Sequence, residues 1–166
     1  ICLGDSLLLP AINNALYPVY KWEASPSLSC LDCPLPYARP VATELFSIMV
    51  TDTSGCTVTD EILITVAPKR EVFAPNVFSP NNDGINDFFY LQTGNGVESI
   101  PELRVFNRWG GLVYEGIDLP LNVPDAGWNG FFNGKVMDSG VFVWYAKVDF
   151  IDGTTEVVKG DFLLLR

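Results

Sequence analysis

The sequence predicts an all-β chain built as two β-sandwiches in tandem. Helical periodicity is nearly absent from it. Twelve prolines and fourteen glycines punctuate short runs rich in Val, Ile, Phe, Tyr and Leu. In the longer runs apolar residues recur at every second position, the period of a strand with one buried face. Strands at such spacing, with turn signals between them, are the pattern of sandwiches.

The first unit covers residues 1–67, with strands expected at 6–9, 18–23, 44–51 and 57–66. Phe46, Ile48 and Val50 alternate onto one face, as do Ile62, Ile64 and Val66. Asp52-Thr53-Ser54-Gly55 is the turn between the last two strands. Trp22 reads as a core tryptophan beneath the sandwich rather than a ligand platform. Pro68-Lys69-Arg70 forms a short linker, since proline and two charges end a strand without starting another element. The second unit covers 71–166, with strands expected at 72–78, 87–92, 102–107, 111–115, 140–150 and 156–165. Phe142, Trp144, Ala146, Val148 and Phe150 form an apolar face, and Lys147 and Asp149 lie on the opposite one. Asp152-Gly153 is a hairpin turn, so 140–165 reads as one long hairpin.

Composition bounds the chemistry. Of 166 residues, 48% are hydrophobic and 18% charged, which suits a globular chain. No apolar run approaches the length of a membrane-spanning helix, so direct membrane insertion is not expected. The net charge of −10 opposes binding to nucleic acid or to an anionic lipid surface. Histidine is absent, which removes nucleophilic catalysis through an imidazole base and all His-ligated zinc chemistry. A hydrolase would then need two converging carboxylates, and nothing in the spacing of Asp83, Asp87, Asp125 and Asp138 brings a pair together. The expectation is a protein that is not an enzyme.

Three loops carry candidate sites. Asn81, Asp83 and Asp87 offer side-chain oxygens, and Ile85 a carbonyl, at a spacing that suits Ca²⁺. The segment departs from an EF-hand loop in its glycine offset and lacks the closing Glu. The other reading is a turn in which Asp83-Gly84 supplies positive φ and the Asn side chains cap backbone groups. Arg108 and Trp109 lie in a turn between strands. They are either an exposed pair of the residue types that dominate interface hot spots, or a tight turn whose tryptophan closes the core. Trp128-Asn129-Gly130 and Asn133-Gly134-Lys135 read as turn chemistry, with Trp128 packed in the core rather than stacked on a sugar. The terminal Phe162, Leu163, Leu164, Leu165 and Arg166 form either a buried last strand or an edge offered to a partner.

An ordered set of motifs spans the second unit: 74–88 (APNVFSPNNDGINDF), 105–110 (VFNRWG), 113–115 (VYE), 128–130 (WNG), 139–142 (SGVF) and 160–166 (GDFLLLR). In that order they resemble the gliding motility-associated C-terminal domain, the type B sorting domain of type IX secretion cargo. The resemblance implies a β-sandwich that serves as an export address. Its implied partners are the type IX translocon and a dedicated PorP/SprF-like outer-membrane protein. Its implied destination, reached through the periplasm, is the cell surface or medium of a Gram-negative bacterium. It also tips Arg108 and Trp109 toward recognition and makes Arg166 the expected natural terminus.

The first unit resembles a PKD-like immunoglobulin-type domain through Cys2-x-Gly4-Asp5, Tyr20-x-Trp22, the proline-rich loop and Met49-Val50-Thr51-Asp52 with Gly55-Cys56. Such units are spacers in surface proteins, so the fold expected overall is two tandem immunoglobulin-like β-sandwiches. The chain opens mid-pattern at Ile1 and shows no signal peptide there, so the expectation is a piece of a longer secreted protein. In that oxidising setting four cysteines suggest two disulfides. Only Cys30 and Cys33 have knuckle spacing, which disfavours zinc. Cys2–Cys56 as a long staple and Cys30–Cys33 as a loop clip are the favoured pairs, with reduced bystander cysteines as the alternative. The rival function, from another class, is a calcium-dependent adhesive or sugar-binding module.

Overall fold

A computed structural model describes residues 1–14 and 17–166. The chain is all-β and divides into two compact units, Ile1–Lys69 and Arg70–Arg166.

The first unit holds β1 (Leu7–Leu8), β2 (Val19–Trp22), β3 (Tyr37–Ala38), β4 (Glu44–Thr51) and β5 (Thr57–Ile64). The sheet order is β2-β4-β5, antiparallel throughout, and β1 pairs with β3 in a separate two-stranded sheet. Leu9, Trp22, Ala38, Phe46, Ile48 and Ile64 make the core. Trp22 is buried, and its indole N–H donates to the Cys33 carbonyl at 2.9 Å, so the loop closed by the Cys30–Cys33 disulfide lies on the core tryptophan. β3 comes out of a proline-rich stretch read from sequence as loop: Tyr37 and Ala38 reach their partners by pairing with β1, not through any local propensity.

The expected Cys2–Cys56 staple does not form, and both cysteines are free thiols. Register explains why. Cys2 bridges Ala67, beyond the far end of β5, whereas Cys56 sits in the turn beside the Thr51–Thr57 pair. Thr57 and Ile64 are seven residues apart on an extended strand, roughly 23 Å at about 3.3 Å per residue. A disulfide needs its Cα atoms within about 7 Å.

The second unit has one five-stranded sheet of order β10-β9-β13-β14-β7. Its strands are β7 (Val77–Phe78), β9 (Val97–Phe106), β10 (Leu112–Leu119), β13 (Gly140–Phe150) and β14 (Thr155–Leu164). Short pieces complete the unit: β6 (Val72–Phe73) pairs with β8 (Gln92–Thr93), β11 (Phe131–Phe132) pairs with β12 (Lys135–Val136), and buried Phe89 bridges buried Trp128. The β13–β14 hairpin follows the expected alternation: Phe142, Trp144, Ala146, Val148 and Phe150 are all buried. The expected strand 72–78 is cut in two around Ala74-Pro75, and 87–92 is reduced to one bridge and the start of β8. β9 begins five residues earlier than expected, running through Pro101, where its pairing with β13 slips between Lys147 and Asp149. A proline survives in a strand at such a bulge because no ladder hydrogen bond is asked of it there.

Candidate functional site

The β9–β10 turn is stitched by one side chain. Asn107 Oδ1 accepts from the backbone N–H of Trp109 at 3.0 Å and of Gly111 at 2.9 Å. Two backbone bonds, Gly110 N–H to the Asn107 carbonyl and Asn107 N–H to the Gly111 carbonyl, complete it at 2.9 Å each. Gly110 takes φ +78°, a conformation that costs other residues about 1–2 kcal/mol. With Asn107 closing the turn, Arg108 and Trp109 are left out of it. Trp109 is 82% exposed, and the Arg108 guanidinium lies 5.1 Å from its ring centroid. An 82% exposed ring closes no core, so of the two readings of this turn the exposed pair matches the geometry.

Below the turn, the outer face of the sheet divides by register. One row runs Val77, Leu163, Val141, and the next runs Asp161, Val143, Phe106, Leu112. Val77, Val141, Val143 and Leu112 are exposed. Farther from the turn the face is charged. Glu102 pairs with Arg104 at 2.6 Å and Lys147 at 3.1 Å, and Arg104 pairs with Glu115 at 2.8 Å. The Lys147 hydrogen bond and the Arg104 charge hold the Glu102 carboxyl below its usual pKa.

The last strand is neither wholly buried nor a free edge. Phe162 and Leu164 point into the core, so in the folded unit neither is available to a partner, which corrects the sequence-based expectation for both. Leu163 lies on the outer face and Leu165 is exposed at the strand's end. At that end β14 is covered by β7, through Leu163–Val77 and Leu164–Phe78. Arg166 works inward as a clamp: its guanidinium donates to the carbonyls of Met137 (2.9 Å), Gly130 (3.1 Å) and Pro80 (3.4 Å).

That clamp joins motifs far apart in sequence. Phe78, Phe89, Trp128, Phe142 and Phe162 form one aromatic cluster, with Phe89 stacked on Phe162 at 3.9 Å and Trp128 edge-on to Phe142 at 5.0 Å. Trp128 is 1% exposed and its indole N–H donates to the Phe131 carbonyl, so it packs in the core as expected. Gly130 has φ +76°, and a Cβ there would lie 2.9 Å from Arg166 Nη2 and 3.0 Å from Pro80 Cγ. Trp128-Asn129-Gly130 is therefore a docking seat for the chain's last residue.

In the 81–87 loop each carboxylate oxygen already has a donor. Asp83 Oδ1 accepts from the Ile85 N–H and Oδ2 from Asn81 Nδ2, both at 2.8 Å. Asp87 Oδ1 accepts from the Asn82 N–H at 2.7 Å and Oδ2 from the Gly84 N–H at 2.8 Å. These bonds match the turn reading of the segment. They also hold the Asp83 carboxyl below its usual pKa, the Asn81 bond contributing most. Among the described residues no group of three or more Cys, Asp or Glu side chains converges on a metal position.

Arg70, assigned from sequence to the linker, belongs to the second unit. It pairs with Asp152 at 2.9 Å and Glu156 at 3.0 Å and lies 4.9 Å from the Phe150 ring centroid. Its partners come more than eighty residues later, so no local signal marks it.

The second unit is thus all-β, with an aromatic core and an outward-facing Arg108-Trp109 turn. The sequence model of the CHU_C type IX secretion signal domain matches residues 72–165, and the chain belongs to that family. No curated protein matches the chain. Among solved structures, the dimeric latent PorU from Porphyromonas gingivalis is similar at 9% identity and a TM-score of 0.35, over 89% of this chain. The chain spans 16% of the length of that protein.

Proposed function

We propose that the second unit is the export address of a large surface or secreted protein. It is read after passage through the periplasm by the type IX machinery and by a dedicated PorP/SprF-like outer-membrane partner. The first unit serves as a PKD-like spacer before it. The observation that carries this reading is the coincidence of the family's extent, 72–165, with one compact unit that has its own core. Recognition falls to what that unit shows: Arg108, Trp109 and the exposed apolar rows of Val77, Val141, Val143 and Leu112, bordered by Leu163. Tryptophan and arginine held on a closed turn lose little entropy on docking, which suits them as anchors.

The test is a periplasm-targeted reporter fused ahead of residues 70–166 in a host with type IX secretion. Starting at 70 keeps the Arg70 ion pairs. The reporter should appear outside the cell and require the host's translocon. Replacing Arg108 and Trp109 together by Ala should cut export at least tenfold while the far-UV spectrum and melting midpoint stay unchanged, because both side chains are exposed. A folded fusion that stays in the periplasm would sink the proposal.

A further inference from the structure

One buried polar group of the second unit is left without a partner. The indole N–H groups of Trp22 and Trp128 each donate to a backbone carbonyl, at 2.9 and 2.8 Å. Trp144 is 8% exposed, and among the described residues its indole N–H donates to nothing. A tryptophan this buried ordinarily finds an acceptor, and each exception calls for a reason. Gly160 of β14 is its cross-strand neighbour, and the ring lies over it. A Cβ on Gly160 would stand 3.0 Å from Nε1 and 3.3 Å from Cζ2. Glycine at that position keeps a side chain out of the approach to the N–H.

Gly160 also lies on the uncovered part of an edge. β7 pairs with β14 only at Leu163 and Leu164. There the N–H groups of Leu163 and Leu165 donate to the carbonyls of Asn76 and Phe78, at 2.8 and 3.0 Å. Backbone groups alternate in direction along a strand, so Val157, Lys159 and Asp161 turn theirs to the same edge. Among the described residues no strand lies beside them. Their side chains are all exposed. The stretch holds no proline, and β14 pairs with β13 without a bulge from Thr155 to Leu164. Edges are ordinarily blunted by such devices.

We propose that the edge of β14 at 157–161 accepts one extended strand of a partner protein, added antiparallel, with the Trp144 indole N–H as its anchor. Backbone bonds give such a strand its affinity and alternate side chains its specificity. The residue opposite Gly160 points to the inner side and carries a short oxygen acceptor, such as threonine, for the indole N–H. A basic residue stands opposite Asp161 and an acidic one opposite Lys159, because opposite charges stabilise such pairs. A β-branched apolar residue stands opposite Val157. A second copy of β14 does not meet these demands. With Lys159 set on Asp161, Gly160 of one copy faces Gly160 of the other, which offers the indole no acceptor.

The test uses the full chain, 1–166, with blocked peptides at millimolar concentration. Lys-Thr-Glu-Val-Val lays its residues opposite positions 161 to 157 in turn. It should slow amide exchange at Val157, Lys159 and Asp161 and shift the indole N–H proton resonance of Trp144. Valine in place of the threonine should leave that resonance unmoved and weaken binding about fivefold, the effect of one lost hydrogen bond. Exchanging the peptide's lysine and glutamate should also weaken binding. Lys159→Glu with Asp161→Lys in the protein should restore it for the exchanged peptide. No protection with the first peptide, or equal affinity for all three, would overturn the proposal. So would protection without peptide that rises with protein concentration, because the occupant would then be a second copy. Export and strand addition can fail separately, since this assay contains no secretion machinery.

Discussion

Arg166 shows how one side chain finishes a unit. Its guanidinium holds three loop carbonyls, and Gly130 is the residue that lets it approach. Gly130→Ala should cost about 1–2 kcal/mol for the left-handed backbone alone. A further loss follows as Arg166 is displaced. Arg166→Ala should cost about 1–2 kcal/mol, because it leaves carbonyls without a charged donor. Thermal melting should show both, and the double variant should fall short of the sum because the two residues share one contact. Asp83 offers a second test. Asp83→Ala removes the caps on the Ile85 N–H and the Asn81 amide, so the loop should become more mobile by hydrogen exchange. Calcium held by Asn81, Asp83, Asp87 and the Ile85 carbonyl is a separate proposal. It requires the melting midpoint to rise with millimolar Ca²⁺ in the parent and not in Asp83→Ala. An unchanged midpoint leaves the loop as turn chemistry alone.

At the level of elements, the five-stranded sheet keeps its two ends chemically distinct. The end beneath the β9–β10 turn shows apolar side chains, and the other carries the Glu102, Arg104, Lys147 and Glu115 network. Glu102 contributes to the pH dependence beside Asp52, Asp83 and Asp152, whose pKa values are also lowered. The Glu102 pKa is lowered on folding, so its contribution is complete above the unfolded value of about 4.3 and is lost as pH falls through the folded one. The melting midpoint should therefore drop between about pH 5 and pH 3. Glu102→Gln should flatten part of that drop, whereas an identical profile in this variant would remove Glu102 from the account. Pro101 shows why strand ends are poorly legible: proline reads as a terminator, yet here it occupies a bulge that only the β13 partner strand creates.

At the level of the whole molecule, the division between Lys69 and Arg70 sits within the expected linker, but Arg70 itself is bound into the second unit. Its two acidic partners lie on the far hairpin, and that anchoring makes residue 70 the right start for an isolated second unit. The first unit holds a local disulfide at Cys30–Cys33, while Cys2 and Cys56 are separated by the length of β5. Counting cysteines limits how many bridges can form but carries no information on the distance between them.

Short-range order was present in the sequence itself. Period-two alternation gave the all-β class, the β4 strand and the long β13–β14 hairpin, because the buried face of a strand is written residue by residue. The ordered motifs gave the family, and the absence of histidine ruled out catalysis through an imidazole base. Only the tertiary structure decided what the motifs are for. Trp109 and Trp128 sit in similar Asn- and Gly-rich turns, yet one is exposed and the other is sealed in the core. The difference lies in what stands opposite each turn. Phe78, Phe142 and Phe162 converge on Trp128 from distant parts of the chain, whereas Asn107 closes the other turn and leaves Trp109 outside. Burial is a property of partners brought together by folding, and a local stretch of sequence does not contain them.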